Sequence, residues 1–197
     1  MRILITSLVL TASATFSWWH QSDADGKVID AAVKRSFEAS VAAGLELSIN
    51  QIQLLNVSGQ QLKDINSLSR LTNLEDLQLS NNEIEDLTVF RSLTELVVLD
   101  LSNNEITDLT PLENLEKLQY LNLGQNRIKS IEPLTELQGL KGLILSGNEG
   151  INLSPIKKMA NLKSLFLSAG LQLTPRELTL LKRELPGCSI KLTPLTP

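Results

Sequence analysis

The sequence predicts an α/β solenoid: short strands stacked along one side of a coil, 3₁₀ or short helical turns along the other, and helical caps at the ends. Three observations predict it. Apolar residues recur in a 22-residue register between Ile52 and Leu173. Within each unit a short segment alternates apolar and polar residues with the period of a strand. Two polar columns, one of asparagine and one of Asp, Ser and Asn, mark where each unit bends.

The register is read directly. Leu74 is followed at equal steps by Leu96, Leu118, Leu140 and Leu162, and preceded by Ile52. A second column runs Leu55, Leu77, Leu99, Leu121, Leu143, Leu165, and a third runs Val57, Leu79, Leu101, Leu123, Leu145, Leu167. Leu68, Phe90, Leu112, Leu134 and Ile156 form one of the columns that complete the unit. One such unit cannot bury its apolar face alone, so neighbours must stack. In "LEDLQL", Leu77 and Leu79 alternate with Asp76 and Gln78. The leucines point into the coil and the alternates point out.

Asn82, Asn104, Asn126 and Asn148 stand where each strand segment ends, and Gln60 and Gly170 break the column on either side. A sharp turn leaves backbone N–H and C=O groups inside the coil, where a group without a partner is costly. An amide side chain donates and accepts, so a stack of asparagines satisfies adjacent turns. The column reads as a structural ladder. Asp64, Asp86, Asp108, Ser130 and Asn152 form the second column. An acidic ladder invites calcium, but serine is a poor calcium ligand and all three residue types cap helical turns. Pro111, Pro133 and Pro155 follow three residues later, where an early-turn proline is tolerated. No metal or other cofactor is called for.

"LEDLQLSNN", "LVVLDLSNN", "LQYLNLGQN" and "LKGLILSGN" resemble the leucine-rich repeat family, with its pattern LxxLxLxxN. The repeat length resembles the subclass found in bacterial internalins and in a regulatory subunit of protein phosphatase 1. The resemblance implies a curved right-handed solenoid with a parallel sheet on its concave side.

If repeated residues are scaffold, binding falls to the variable residues of the concave strands. One exposed column reads Leu54, Asp76, Val98, Tyr120, Gly142, Ser164; the other reads Asn56, Gln78, Asp100, Asn122, Ile144, Phe166. The candidate protein-binding residues are Asp76, Gln78, Val98, Asp100, Tyr120, Asn122, Ile144 and Phe166. Val98, Tyr120, Ile144 and Phe166 put apolar and aromatic groups on a face that meets water, a composition enriched at interface cores. Asp76 and Asp100 rim them. Along the loop ridge, Glu83, Glu85 and Glu105 give way to Arg127 and Lys129, which reads as a solvated ridge.

The ends follow from local signals. Ile29, Val33, Phe37 and Val41 share a helical face between Asp25 and Gly44. Thr174, Pro175 and Glu177 form an N-cap, a first-turn proline and a capping box, ahead of a Leu178, Leu181, Leu185 stripe. Pro186-Gly187 ends that helix, and Cys188, Ile190 and Leu192 are expected to face inward in a last strand. At the start, Arg2, the apolar run Ile3 to Leu10 and Ala12-Ser13-Ala14 have the layout of a secretory signal peptide. The expected organisation is therefore a signal peptide at 1–14, a helical cap at 20–50, repeats at 51–173, and a capping helix and strand at 174–197.

Composition excludes several functions. The net charge is −4 and the pI about 5.1, against nucleic acid, which needs a concentrated positive field. The one cysteine, Cys188, precludes an internal disulfide, and the one histidine, His20, lies outside every pattern. No nucleophile, base and acid converge, so an enzyme is not expected. The leading expectation is a non-enzymatic module that binds a protein, exported to the periplasm or secreted by a bacterium, and not membrane-spanning once the signal is removed. If residues 1–14 are not a signal, the alternative is a cytoplasmic regulatory adaptor like the phosphatase subunit.

Overall fold

The computed structural model describes residues 28, 29, 31, 52–168, 171 and 173–193. Seven parallel strands pair in chain order: β1 Leu54–Asn56, β2 Asp76–Gln78, β3 Val98–Asp100, β4 Tyr120–Asn122, β5 Gly142–Ile144, β6 Ser164–Ser168 and β7 Ser189–Thr193. The pairing register reproduces the sequence columns: Asp76 lies beside Val98, Leu77 beside Leu99, Gln78 beside Asp100. Five 3₁₀ helices occupy the far side: Asn66–Arg70, Thr88–Ser92, Thr110–Leu112, Glu132–Glu136 and Ser154–Lys158. An α-helix, α1, spans Pro175–Glu184. Among the described residues no helix is long and apolar enough to cross a membrane.

The core is the set of apolar columns, with Leu77, Leu79, Phe90, Leu112 and Leu143 fully buried. Leucine suits it because each coil offers the same slot to the next, and identical side chains repeat the same packing. The asparagine column is buried too, with Asn104 only 8% exposed. Its bonds form a continuous chain. Asn104 Oδ1 accepts Ile84 N–H at 3.0 Å, and its Nδ2 donates to Leu79 O and Leu101 O at 3.0 and 3.1 Å. Leu79 O also accepts from Asn82, and Leu101 O from Asn126. Each carbonyl is thus shared between successive amides, up to Asn148 on Leu123 O.

The other asparagine of each "SNN" has a separate task. Gly59, Asn81, Asn103, Gln125 and Gly147 form a column with φ between 55° and 78°. That left-handed conformation suits glycine, and asparagine among residues with a side chain. The turn therefore needs two special residues in sequence, one for its φ and one for the buried backbone.

Asp64, Asp86, Asp108, Ser130 and Asn152 do serve the helical turns, one residue earlier than an N-cap. Each accepts the N–H two residues on, as Asp86 Oδ1 does from Thr88 at 2.8 Å. The cap itself is Ile65, Leu87, Leu109, Ile131 or Leu153, buried or half-buried residues without a capping oxygen. Among the described residues, no group of three or more His, Cys, Asp or Glu is placed to hold a metal.

The Thr88 hydroxyl, then its N–H, lowers the pKa of Asp86; Thr110 does the same for Asp108, helped by Arg91. A lowered folded pKa adds stability above the unfolded value, near pH 4, that is lost as pH falls through the folded one. Asp86→Asn with Asp108→Asn keeps the accepting oxygen and removes the titration. The urea midpoint of this variant should fall less than the parent's below about pH 4, by under about 1 kcal/mol because both groups are solvent-screened. A parallel acid limb would contradict the assignment.

The C-terminal cap has the expected start. Thr174 Oγ1 accepts Glu177 N–H at 3.2 Å and Glu177 Oε2 accepts Thr174 N–H at 2.8 Å. Leu181 and Leu185 are buried, and α1 packs on the last 3₁₀ helix. The last strand follows expectation in part. Cys188 and Ile190 are half-buried and pack against the core, whereas Leu192 is 43% exposed. The helix packs on the last 3₁₀ helix, and among the described residues no further strand pairs with β7. Burial pushes the Cys188 thiol up, against a smaller opposing effect of Lys163, so the free thiol is poorly nucleophilic. Of the expected N-terminal cap, Val28 and Ile29 are helical and Ile29 is fully buried. Val33, Phe37, Val41 and residues 1–14 lie outside the described residues.

Candidate protein-binding face

The outward residues of the strands form two rows, held in register by the ladder of strand pairing. Leu54, Asp76, Val98, Tyr120, Gly142 and Ser164 make the first, and Asn56, Gln78, Asp100, Asn122, Ile144 and Phe166 the second. All eight candidate residues thus share one face. β7 extends it with Ser189 and Lys191.

The polar candidates are partly committed to the fold. Asp100 Oδ1 accepts the Ser102 N–H and hydroxyl at 2.8 and 2.6 Å, and Asn122 Oδ1 accepts Gly124 N–H at 3.1 Å. Asn56 makes the same bond to Ser58. These residues begin the turns that follow β1, β3 and β4, as Asx-turns do. The signal was present as Asp or Asn two residues before Ser or Gly, and sequence reasoning missed it. Gln78 Nε2 donates to Asp76 Oδ1 at 2.6 Å, so these two candidates meet each other.

The apolar candidates are less constrained. Tyr120 is 51% exposed, and its ring lies over Gly142. A Cβ on Gly142 would stand 2.7 Å from Tyr120 Cδ1, closer than unbonded carbons approach. The glycine therefore leaves room for the tyrosine ring to lie along the sheet. Val98 and Ile144 on the two neighbouring strands, and Phe166 one strand beyond Ile144, are half-buried. Lys191 Nζ sits 5.3 Å from the Phe166 ring centroid, within cation–π range. Sequence reading had found neither contact, because both link residues of different coils.

Gly142→Ala should tip the Tyr120 ring off the sheet. Tyr120 is the single tyrosine of the chain, so a ring-labelled sample gives one set of NMR signals. These should shift, because the buried Gly142 has no room for a Cβ beneath the ring. Unmoved ring signals would contradict the contact.

Comparison with known proteins agrees with this geometry. The family model described as Leucine Rich repeats (2 copies) matches residues 94–136. These are leucine-rich repeats. No curated protein matches the sequence. Among solved structures, an internalin from Listeria monocytogenes is similar at a TM-score of 0.57 and 24% identity, over 86% of this chain and 54% of that one. An internalin C2 from the same organism is similar at 0.56 and 25%, over 84% of this chain and 92% of that one. A leucine-rich-repeat protein from Leptospira interrogans is similar at 0.54 and 25%, over 66% of this chain and 40% of that one. The chain thus spans about half the length of the first internalin and most of the second. A leucine-rich-repeat solenoid commonly serves protein–protein interaction.

Proposed function

We propose that the chain is a non-enzymatic module whose concave sheet face binds a protein, with Val98, Tyr120, Ile144 and Phe166 at the centre. The observation that carries this reading is the half-exposed Tyr120, kept flat on the sheet by Gly142 and flanked by apolar residues of adjacent coils. Asp76, Gln78, Asp100 and Asn122 border it and contribute less, because turn bonds and the Asp76–Gln78 bond already use them. Aromatic anchors in such a setting carry most of the energy of an interface.

The signal-peptide layout of residues 1–14 and the similarity to internalins both favour an exported protein of a bacterium. N-terminal sequencing of the mature chain tests this: a start near Thr15 supports export, and an intact Met1 in the cytosol overturns it.

Binding on this face is tested by placing a photoreactive phenylalanine analogue at position 120 and, as a control, at the exposed Leu180 of α1. Irradiation in native extract should give a covalent adduct from position 120 alone. Adducts from position 180 and none from 120 would move the site.

A further inference from the structure

Away from the strands, charges on neighbouring coils are matched by sign. Lys63–Glu83, Glu95–Lys117, Glu105–Arg127 and Glu132–Lys158 each set a cation against a carboxylate. The entry edge of the sheet, one residue ahead of each strand, breaks this pattern. There the column reads Gln53, Glu75, Val97, Gln119, Lys141, Lys163. Side chains in it reach one another between coils: Gln53 donates to Glu75 at 2.6 Å, and Lys141 to Gln119 at 2.8 Å. Lys141 and Lys163 stand on adjacent coils, both exposed. Among the described residues, neither is paired with a carboxylate. Like charges on neighbouring strands repel, so the pair gives the scaffold nothing.

The two lysines border the apolar part of the face. The residues after them, Gly142 and Ser164, are small, and the Tyr120 ring lies over Gly142. Ile144 and Phe166 follow three residues after the lysines, about 10 Å along the strands. This end of the face thus offers two ammonium groups, then an aromatic ring, then two apolar side chains. Lys191, over the Phe166 ring, keeps it basic.

A concave face receives a convex surface, and this one matches a projection with carboxylates on one flank and apolar side chains beside them. We propose that the occupant is such a surface of another protein. Two or more of its Asp or Glu side chains meet Lys141 and Lys163, and its adjoining apolar side chains meet Tyr120, Ile144 and Phe166. This rests on the reading that the sheet face binds a protein. The other end of the face fixes the placement. Glu75 and Asp76 lie three strands away, about 14 Å, and repel the same carboxylates there. The lysine–carboxylate pairs are exposed, so binding weakens with salt.

The test uses the full chain with the photoreactive analogue at position 120, in native extract and below saturation. Irradiation labels the bound protein. A carbodiimide, which joins an amine to a carboxylate in contact with it, then reads the lysines. Mass spectrometry should find Lys141 or Lys163 bonded to Asp or Glu of the protein labelled from position 120. Lys141→Glu with Lys163→Glu should lower the photoadduct yield at least tenfold, because two attractions become repulsions. The neutral Lys141→Gln with Lys163→Gln should lower it about threefold, as two exposed pairs do. Lys141→Arg with Lys163→Arg should retain it, and Glu75→Lys should hold or raise it. Each variant is checked as folded by its urea midpoint. A yield undiminished by both the charge-reversed and the neutral variant overturns the proposal and leaves the binding reading standing. So does a partner joined by its own lysines to Glu75 or Asp76, or a labelled peptide that comes from this chain or a second copy of it. No adduct from position 120 of the parent fails the binding reading, and the proposal with it.

Discussion

Asn104→Ala should destabilise the chain by about 3–4 kcal/mol, measured by urea denaturation. The substitution leaves the buried Ile84 N–H without its acceptor and takes one donor from each of Leu79 O and Leu101 O. An orphaned buried group costs about 1–3 kcal/mol, and each lost bond about 1 kcal/mol. The two carbonyls keep a second amide, from Asn82 and Asn126, which limits the total. Asn104→Asp separates bonding from packing. It keeps the volume but turns acceptor oxygens toward two carbonyls, so it should destabilise at least as much at neutral pH and recover partly in acid. A stable aspartate variant would show that the column fills space and does not bond.

Phe90→Ala should cost about 3–5 kcal/mol, the range for a buried aromatic truncated to alanine. Phe90 is fully buried in a column otherwise made of leucine and isoleucine. The neighbouring coils are held at strand spacing by their own pairing, so they cannot close on the space it leaves. Phe90→Leu, which restores the residue of the adjacent coils, should recover most of the loss. Equal loss for both variants would show that the ring has a role beyond filling its slot.

Much of this structure could be read in the sequence because a solenoid repeats one packing problem. Leu77 and Leu99 meet the same surroundings, so the same residue recurs and its column marks the core. The asparagine ladder was legible for the same reason, since one amide answers one bend. Asn81 and Asn103 were harder to read: their task is a backbone conformation, which glycine and glutamine also adopt at Gly59 and Gln125. On the candidate face, periodicity placed Tyr120 and Phe166 in their rows but not what they touch. The ring of Tyr120 over Gly142 and Lys191 over Phe166 are contacts between different coils, and they vary because the face varies. Asp100 looked like a rim charge because its use as a turn acceptor is local and does not recur at Gln78. Leu192 was misplaced because alternation assumes a coil above it, and β7 is the last strand described.

The central claim is that repeated residues hold the fold while non-repeated residues of the concave face bind. Its most direct measurement takes the urea midpoint and the capture of bound protein on one preparation of Tyr120→Ala with Phe166→Ala. The double variant should remain folded, within about 2 kcal/mol of the parent for one exposed and one half-buried side chain, and lose capture by about 30-fold or more, as for interface anchors. Undiminished capture by a folded double variant would contradict the claim.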